Sequence, residues 1–207
     1  LDGNFLFKSN NLIRNYEKNI FEKTNINELI FNSNSKITNG GIVNNYDFKF
    51  KNINSDAQNS SSYKENDNFY FSGLLQYNSS LPLLKENDFS RKILKPKISL
   101  KLSPNSTKDI RNDYVRMDVN NIYNLDRLSS ANTTEGGASI TYGSDFTFFD
   151  KSKSRETFNF KVANNLRFEE NKDLPVNNQI GQKTSDFFGE ISYSPSKIFT
   201  TKYNASI

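Results

Sequence analysis

The chain has 207 residues, of which 34% are hydrophobic, and its formal net charge is +4. It contains neither Cys nor His, which excludes disulfides, thiol–imidazole catalysis and the usual zinc sites within these residues. The hydrophobic fraction is low for a soluble core, yet the 18 Phe and 10 Tyr are too many for a disordered polar chain.

Eight segments alternate apolar and polar residues, a period of two that places successive side chains of a β-strand on opposite faces. No segment has sustained helical spacing, and no apolar run approaches the 18 residues of a membrane-spanning helix. The chain is therefore predicted to be all-β. In chain order the predicted strands are 27–34, 42–53, 69–78, 94–103, 136–149, 156–168, 184–194 and 197–207.

The clearest alternation is in segment 156–168, where only Asn164 is out of place. Soluble strands usually have five or six residues, whereas about ten tilted residues cross the hydrocarbon core of a bilayer. This segment therefore predicts a strand of membrane-spanning length with one apolar and one polar face. The apolar positions are Phe158, Phe160, Val162, Leu166 and Phe168.

The connections differ in length in a way that is typical of outer-membrane barrels, whose periplasmic turns are short and outer loops long. Short turns are predicted at 150–154 and 194–196, and long links at 105–135 and 169–183. The predicted link 79–92 breaks this rule, since alternation would place it among the short turns.

Polar loops, a polar lumen and a thin apolar band reconcile the low hydrophobic fraction with the many aromatic residues. We therefore predict an antiparallel transmembrane β-barrel, to which this chain supplies about eight or more long strands. Residues 1–207 are expected to be an internal fragment of a single outer-membrane barrel domain, without the periplasmic domain. The predicted lumen-facing residues are Lys97, Ser99, Lys101, Thr157, Asn159, Lys161, Asn165 and Arg167. The predicted lipid-facing residues are Ile98, Leu100, Ile140, Tyr142, Phe158, Phe160 and Val162.

Several local sequences occur in an order that resembles one family. Segment 125–132, Leu-Asp-Arg-Leu-Ser-Ser-Ala-Asn, precedes Glu-Gly-Gly at 135–137 and then a strand. Downstream, the strand ending in Phe-Glu-Glu at 168–170 leads to Asp-Leu-Pro at 173–175 and Ser-Asp at 185–186. This order resembles LptD, the lipopolysaccharide-assembly barrel of Gram-negative outer membranes, especially its alphaproteobacterial members. The loop residues that carry the resemblance are Leu125, Asp126, Arg127, Ser130, Asn132 and Gly136.

The resemblance implies a barrel that translocates lipopolysaccharide and inserts it into the outer leaflet of the cell outer membrane. It also implies a plug lipoprotein similar to LptE, and periplasmic proteins that form a lipid-conducting bridge. No bond-making chemistry and no cofactor are expected. The positive charge is spread along the chain and not gathered into a patch, so nucleic acid is not an expected partner. The bilayer is an expected partner because the long strands have one apolar face.

Other functions remain open from the residues alone. A generic porin for small solutes would use the same strands, and a soluble β-sandwich adhesin would cover the apolar face with a second sheet. The lysines of segment 94–103, with Lys161 and Arg167, could face either water or a phosphorylated sugar. Acid–base catalysis by Glu169 and Glu170, or by Asp186 and Glu190, is not expected, because loop positions imply neither a cleft nor a shifted pKa. Asp109, Asp113 and Asp118 could hold a divalent cation in an outer loop, but their spacing is not that of an EF-hand.

Overall fold

The computed structural model describes residues 2–16 and 19–207. The strands formed by these residues make a single antiparallel β-sheet. Within these residues there is no helix that could span a membrane. The eleven strands are β1 Gly3–Tyr16, β2 Ile20–Ser33, β3 Lys36–Ile37, β4 Val43–Gln58, β5 Asn68–Ser80, β6 Leu83–Glu86, β7 Ser90–Ser103, β8 Gly137–Asp150, β9 Arg155–Arg167, β10 Phe188–Tyr193 and β11 Thr201–Ser206.

The strand order is β1-β2-β4-β5-β7-β8-β9-β10-β11, so almost every strand pairs with its neighbour in sequence. The two short strands are continuations, because β3 extends β2 along β4 and β6 extends β5 along β7. Within the described residues β1 and β11 do not pair, and the sheet is open. The predicted all-β antiparallel fold is confirmed.

The two ends of the sheet carry different connections. One end has the short turns 38–42, 87–89, 151–154 and 194–200, and we call it the short-turn edge. The other end has the connections 59–67, 104–136 and 168–187, and we call it the long-loop edge. The predicted alternation of short turns and long loops is thus present.

The segment 79–92, predicted to be an exceptional long link, is mostly strand. The ladder resumes after Pro82, which has no N–H to donate, and β6 pairs with β7 from Leu83 opposite Leu94 to Glu86 opposite Arg91. A tight turn closes this hairpin, where the N–H of Asn87 donates to the carbonyl of Ser90 at 2.9 Å. The prediction of a link was wrong because a short interruption by proline hides the continuation of the strand.

Other strand predictions also need correction. Strand β2 begins at Ile20 and not at position 27, and β11 begins at Thr201 and not at position 197. Strand β1 was missed, because its pattern is blurred by pairs such as Leu12–Ile13 and because it lies at the sheet edge. The predicted strand 184–194 begins only at Phe188, since residues 184–187 belong to the preceding connection apart from a single bridge between Leu166 and Thr184.

The two faces of the sheet differ in what lies on them. The connection 104–136, which we call the insert, folds back over one face, which we call the covered face. The opposite face, the open face, carries rows of apolar side chains that run across neighbouring strands. One such row consists of Leu94, Phe146, Phe160, Ile191 and Tyr203.

A small apolar core holds the insert to the sheet. It forms where the insert meets the connection 168–187 and the covered face of β9 and β10, and Ala163 and Phe188 are the strand residues in it. The other members are Ile110, Met117, Val119, Ile122, Leu128, Leu174 and Ile180. The insert is therefore a folded part of the protein with its own buried side chains.

Candidate functional site

The eight residues predicted to face the lumen share the covered face. They alternate along β7 and β9, and the register places Lys101 and Arg167 in one row on either side of Ser139. Five of them are buried: Ser99, Lys101, Thr157, Asn165 and Arg167. The others, Lys97, Asn159 and Lys161, are half-buried. The structure thus brings the eight residues together, mostly beneath the insert.

The seven residues predicted to face lipid share the open face. Ile98, Tyr142 and Phe160 are at least 38% exposed there. The other four, Leu100, Ile140, Phe158 and Val162, are half-buried among the side chains of adjacent strands. Within the described residues no second layer covers this face of the sheet.

Asn164, the one polar residue out of place in its strand, is on the open face but is 1% exposed. Its side-chain amide donates to the carbonyls of Ser185 and Asp186 at 2.9 and 3.1 Å. The end of the connection 168–187 therefore lies beside β9, where the N–H of Ser185 donates to the carbonyl of Asn165 at 2.9 Å, and the Asn164 amide has backbone partners.

The centre of the covered face is a carboxylate shared by three cations. Glu135, at the end of the insert, accepts from Arg127 at 2.7 Å and from Arg167 at 2.7 Å, and its carboxylate lies 3.6 Å from the Lys101 ammonium. Burial alone would raise the pKa of Glu135, but Arg127, Lys101 and Arg167 outweigh it and hold the pKa well below its usual range. The glutamate is therefore ionised and ties the insert to β7 and β9.

Arg127 connects this cluster to strands β8 and β9. Its guanidinium donates to the Asn165 side-chain carbonyl at 2.9 Å and to the Thr141 hydroxyl at 3.2 Å, and it is 3% exposed. An arginine is suited to this position because its planar group can donate in several fixed directions at once. The insert is thereby joined to β8 and β9 as well as to its own carboxylate.

A second set of ion pairs joins the insert to β4 and β2. The ammonium of Lys49 lies 2.7 Å from the carboxylate of Asp126 and 2.6 Å from that of Glu28. The neighbouring Lys51, which is 1% exposed, donates to the carbonyl of Ser130. Sequence reasoning missed Lys49, Lys51 and Glu28, because nothing in their strands shows that the insert supplies their partners.

The loop residues singled out in the sequence have distinct contacts. Asp126, Arg127 and Ser130 bond to the covered face as described, Asn132 reaches the carbonyl of Ser62 at 3.5 Å, and Leu125 is half-buried. Gly136 is buried, and a Cβ placed there would lie 2.0 Å from the carbonyl oxygen of Asn105. These residues form the docked part of the insert.

A cavity of about 540 Å³ lies between the insert and the covered face, on the side of the short-turn edge. Its lining includes Lys95, Lys97, Asp47 and Tyr123. The ammonium of Lys97 lies 2.8 Å from Asp145 and 4.3 Å from the centre of the Tyr123 ring. Burial, with the nearby charge of Asp145, raises the pKa of the Tyr123 hydroxyl above its usual value.

Three of the acidic residues named above, Glu190, Asp109 and Asp118, make structural contacts. Glu190 is bonded to Lys161 at 3.0 Å and to Lys202 at 2.7 Å. Asp109 pairs with Arg111 at 2.9 Å, and the Asp118 carboxylate accepts backbone N–H groups of its own turn. In the part of the chain that the structure describes, no three such side chains are grouped so that they could hold a metal ion.

Comparison with known families agrees with the loop and strand resemblance. The family LptD, "LPS transport system D", matches residues 44–206, which is well over half of the chain. A comparison with curated proteins gives no match. The match includes β4 to β11, the insert and the shared carboxylate Glu135. The chain therefore belongs to the LptD family.

Proposed function

We propose that this chain forms part of the wall of a transmembrane β-barrel that carries lipopolysaccharide to the outer leaflet of the outer membrane. Residues 1–207 would then be part of a single barrel domain. The observation that carries the proposal is the contrast between the two faces of the sheet, together with membership of a lipopolysaccharide transport family.

The open face suits acyl chains. Its strands are 13 to 16 residues long from β4 to β9, apart from the short continuation β6, and about ten tilted residues cross the hydrocarbon core. The ladder satisfies the backbone hydrogen bonds between neighbouring strands, as a bilayer requires. The apolar rows that include Phe146, Phe160 and Ile191 would contact lipid directly.

The covered face suits a polar interior. Lys97, Lys101 and Arg167 are paired with carboxylates there, and the cavity beside the insert is lined by charged and amide side chains. Such a surface can hydrate the saccharide part of an amphipathic cargo while the acyl chains stay in lipid. The insert would narrow the interior on this side, and a plug similar to LptE and the periplasmic lipid bridge would complete the path.

Photocrosslinking in the full-length protein tests the orientation of the wall. A photoreactive phenylalanine analogue at Phe160, on the open face, should crosslink to lipid in isolated outer membranes. The same analogue at Thr157, in the same strand but on the covered face, should give no crosslinks to phospholipid. Phospholipid crosslinks of equal yield at both positions would contradict a wall with one face in the bilayer.

A depletion experiment tests transport. Cells depleted of the full-length protein should lose newly made lipopolysaccharide from the surface, measured with a probe that cannot cross the outer membrane. Complementation with the wild-type gene should restore the signal. Normal surface display after depletion would exclude the transport function, whereas a fall in small-solute uptake alone would favour a porin.

A further inference from the structure

A group of polar side chains interrupts the open face near the long-loop edge. We call it the amide patch, and it occupies two rows of the ladder directly beyond Phe7, Leu29 and Phe50. It continues the apolar part of the same face along the same three strands. Its members are Ser9 and Asn11 of β1, Asn25 and Asn27 of β2, and Asn52 and Asn54 of β4.

The patch is held by its own hydrogen bonds. Asn27 donates to the side-chain carbonyls of Asn25 at 2.6 Å and Asn52 at 3.3 Å, and it accepts from Ser9 at 2.7 Å. Asn54 donates to Asn25 at 3.2 Å and to Asn52 at 2.8 Å. Side chains that bond to one another in this way are fixed in position before any ligand arrives, which lowers the entropic cost of binding.

Two groups at the end of the patch remain available. Asn11 accepts from Asn25 through its side-chain carbonyl. Its amide N–H groups have no partner among the described residues. Asn54 uses its N–H groups within the patch, and its side-chain carbonyl has no partner among those residues. A donor and an acceptor therefore lie in one row of the ladder, two strands apart on either side of Asn25.

Both groups line a surface cleft of about 470 Å³. One wall is Phe69, which is opposite Asn54 in the ladder and 69% exposed, and another is Ile13, which is 68% exposed. Lys23 and Asp56 also line the cleft and face each other across the ladder without forming an ion pair. The volume is in the range of about 300–1,000 Å³ that is usual for small-molecule sites.

We propose that this cleft binds a sugar ring of a lipopolysaccharide headgroup on the outer wall of the protein. Sugar hydroxyls both donate and accept, so hydroxyls on opposite sides of one ring can bridge the free groups of Asn11 and Asn54 across two strand spacings, roughly 10 Å. The C–H face of a ring can pack against Phe69, as apolar walls with a few polar groups do in small-molecule sites.

The position of the cleft on the sheet points to a lipid-linked sugar. Phe7 and Phe50, on the same face two rows beyond Asn11 and Asn54 toward the short-turn edge, are 65% and 41% exposed and would contact the acyl chains of the same molecule. The inference rests on the proposed function, because it places the open face in the bilayer. It goes beyond that function in assigning a saccharide site outside the interior of the barrel.

Binding measurements on the purified full-length protein in detergent test the site. The probe is the saccharide of lipopolysaccharide from which the acyl chains have been removed, and calorimetry gives its Kd. Asn54→Ala and Phe69→Ala should each weaken binding about tenfold, the effect of losing one hydrogen bond or one packing surface. Asn10→Ala, the neighbour of Asn11 on the other face of β1, should leave the Kd unchanged.

Folding is followed separately by the change in gel mobility on heating, and Phe69→Leu provides a milder variant that keeps an apolar wall. Wild-type affinity in folded Asn54→Ala and Phe69→Ala proteins would overturn the saccharide site, even if lipopolysaccharide still reaches the cell surface. If the wild-type protein binds the saccharide but depleted cells still display lipopolysaccharide, the proposed transport function fails and the site stands.

Discussion

Arg127 and Glu135 close a stretch of the insert on itself, since Nε of the arginine donates to the carboxylate at 2.7 Å and both side chains are almost fully buried. The same arginine donates to Asn165 of β9, and the same glutamate accepts from Arg167 of that strand. This pair is therefore the joint between the insert and the sheet.

Glu135→Gln keeps the shape of the side chain but removes the charge that Arg127, Arg167 and Lys101 share. Leaving buried cations without a carboxylate should destabilise the folded protein by about 3–5 kcal/mol. The measurement is urea unfolding of the full-length protein in detergent. Glu86→Gln, which removes an exposed partner of Arg91 and Lys151, is the control and should have no measurable effect. Equal midpoints for the two variants would show that the cluster does not hold the insert.

The stability that Glu135 contributes should depend on pH in one direction. The cations hold its folded pKa below the ordinary value of 4.5, so its contribution is complete above that value and is lost as the pH falls toward the folded pKa. The difference in unfolding free energy between wild type and Glu135→Gln should therefore be constant at neutral pH and should shrink in strong acid. A difference that instead grows on acidification would contradict the assignment.

Gly136→Ala should disturb the docking of the insert. The added Cβ would overlap the carbonyl oxygen of Asn105, and the Gly136 N–H also donates to the Thr107 hydroxyl at 2.8 Å. Overpacking of this kind typically costs about 1–3 kcal/mol. Gly40→Ala is the matched control, because a Cβ there meets only the Thr38 hydroxyl at 3.9 Å. Limited proteolysis within the insert should be faster in Gly136→Ala and unchanged in Gly40→Ala.

Phe160→Lys tests whether the open face is in lipid. A lysine facing the middle of a bilayer should destabilise the barrel by roughly 2–4 kcal/mol and should reduce its amount in the outer membrane. Tyr114→Lys, in the insert where the ring is 80% exposed, serves as the control and should assemble normally. Quantitative blotting of outer-membrane fractions measures both. Normal assembly of Phe160→Lys would argue that the face is in water.

Alternation was sufficient to predict most of the sheet, because each long strand separates a polar from an apolar face. Lys101, Asn165 and Arg167 lie on one face, and Ile140 and Phe160 lie on the other. This separation follows from the period of two and can be predicted without knowing which residues each side chain contacts. Strand β1 was missed because an edge strand with exposed faces is under weaker constraint. Proline at position 82 concealed β6 for a local reason, the loss of one ladder donor.

The docking of the insert could not be predicted, because it depends on contacts between residues far apart in sequence. Lys49 and Asp126 are separated by 77 positions, and nothing near either one identifies the other. One signal was present, since Ile110, Met117, Val119 and Ile122 are apolar residues within an otherwise polar segment. Such residues indicate that a long connection has a core of its own.

The row formed by Lys101, Ser139 and Arg167 makes the charge balance of the sheet depend on the insert. The carboxylate beside both cations is that of Glu135, which belongs to the insert and not to a strand. Removal of the insert would therefore leave two buried like charges in one row of the covered face without this counter-charge.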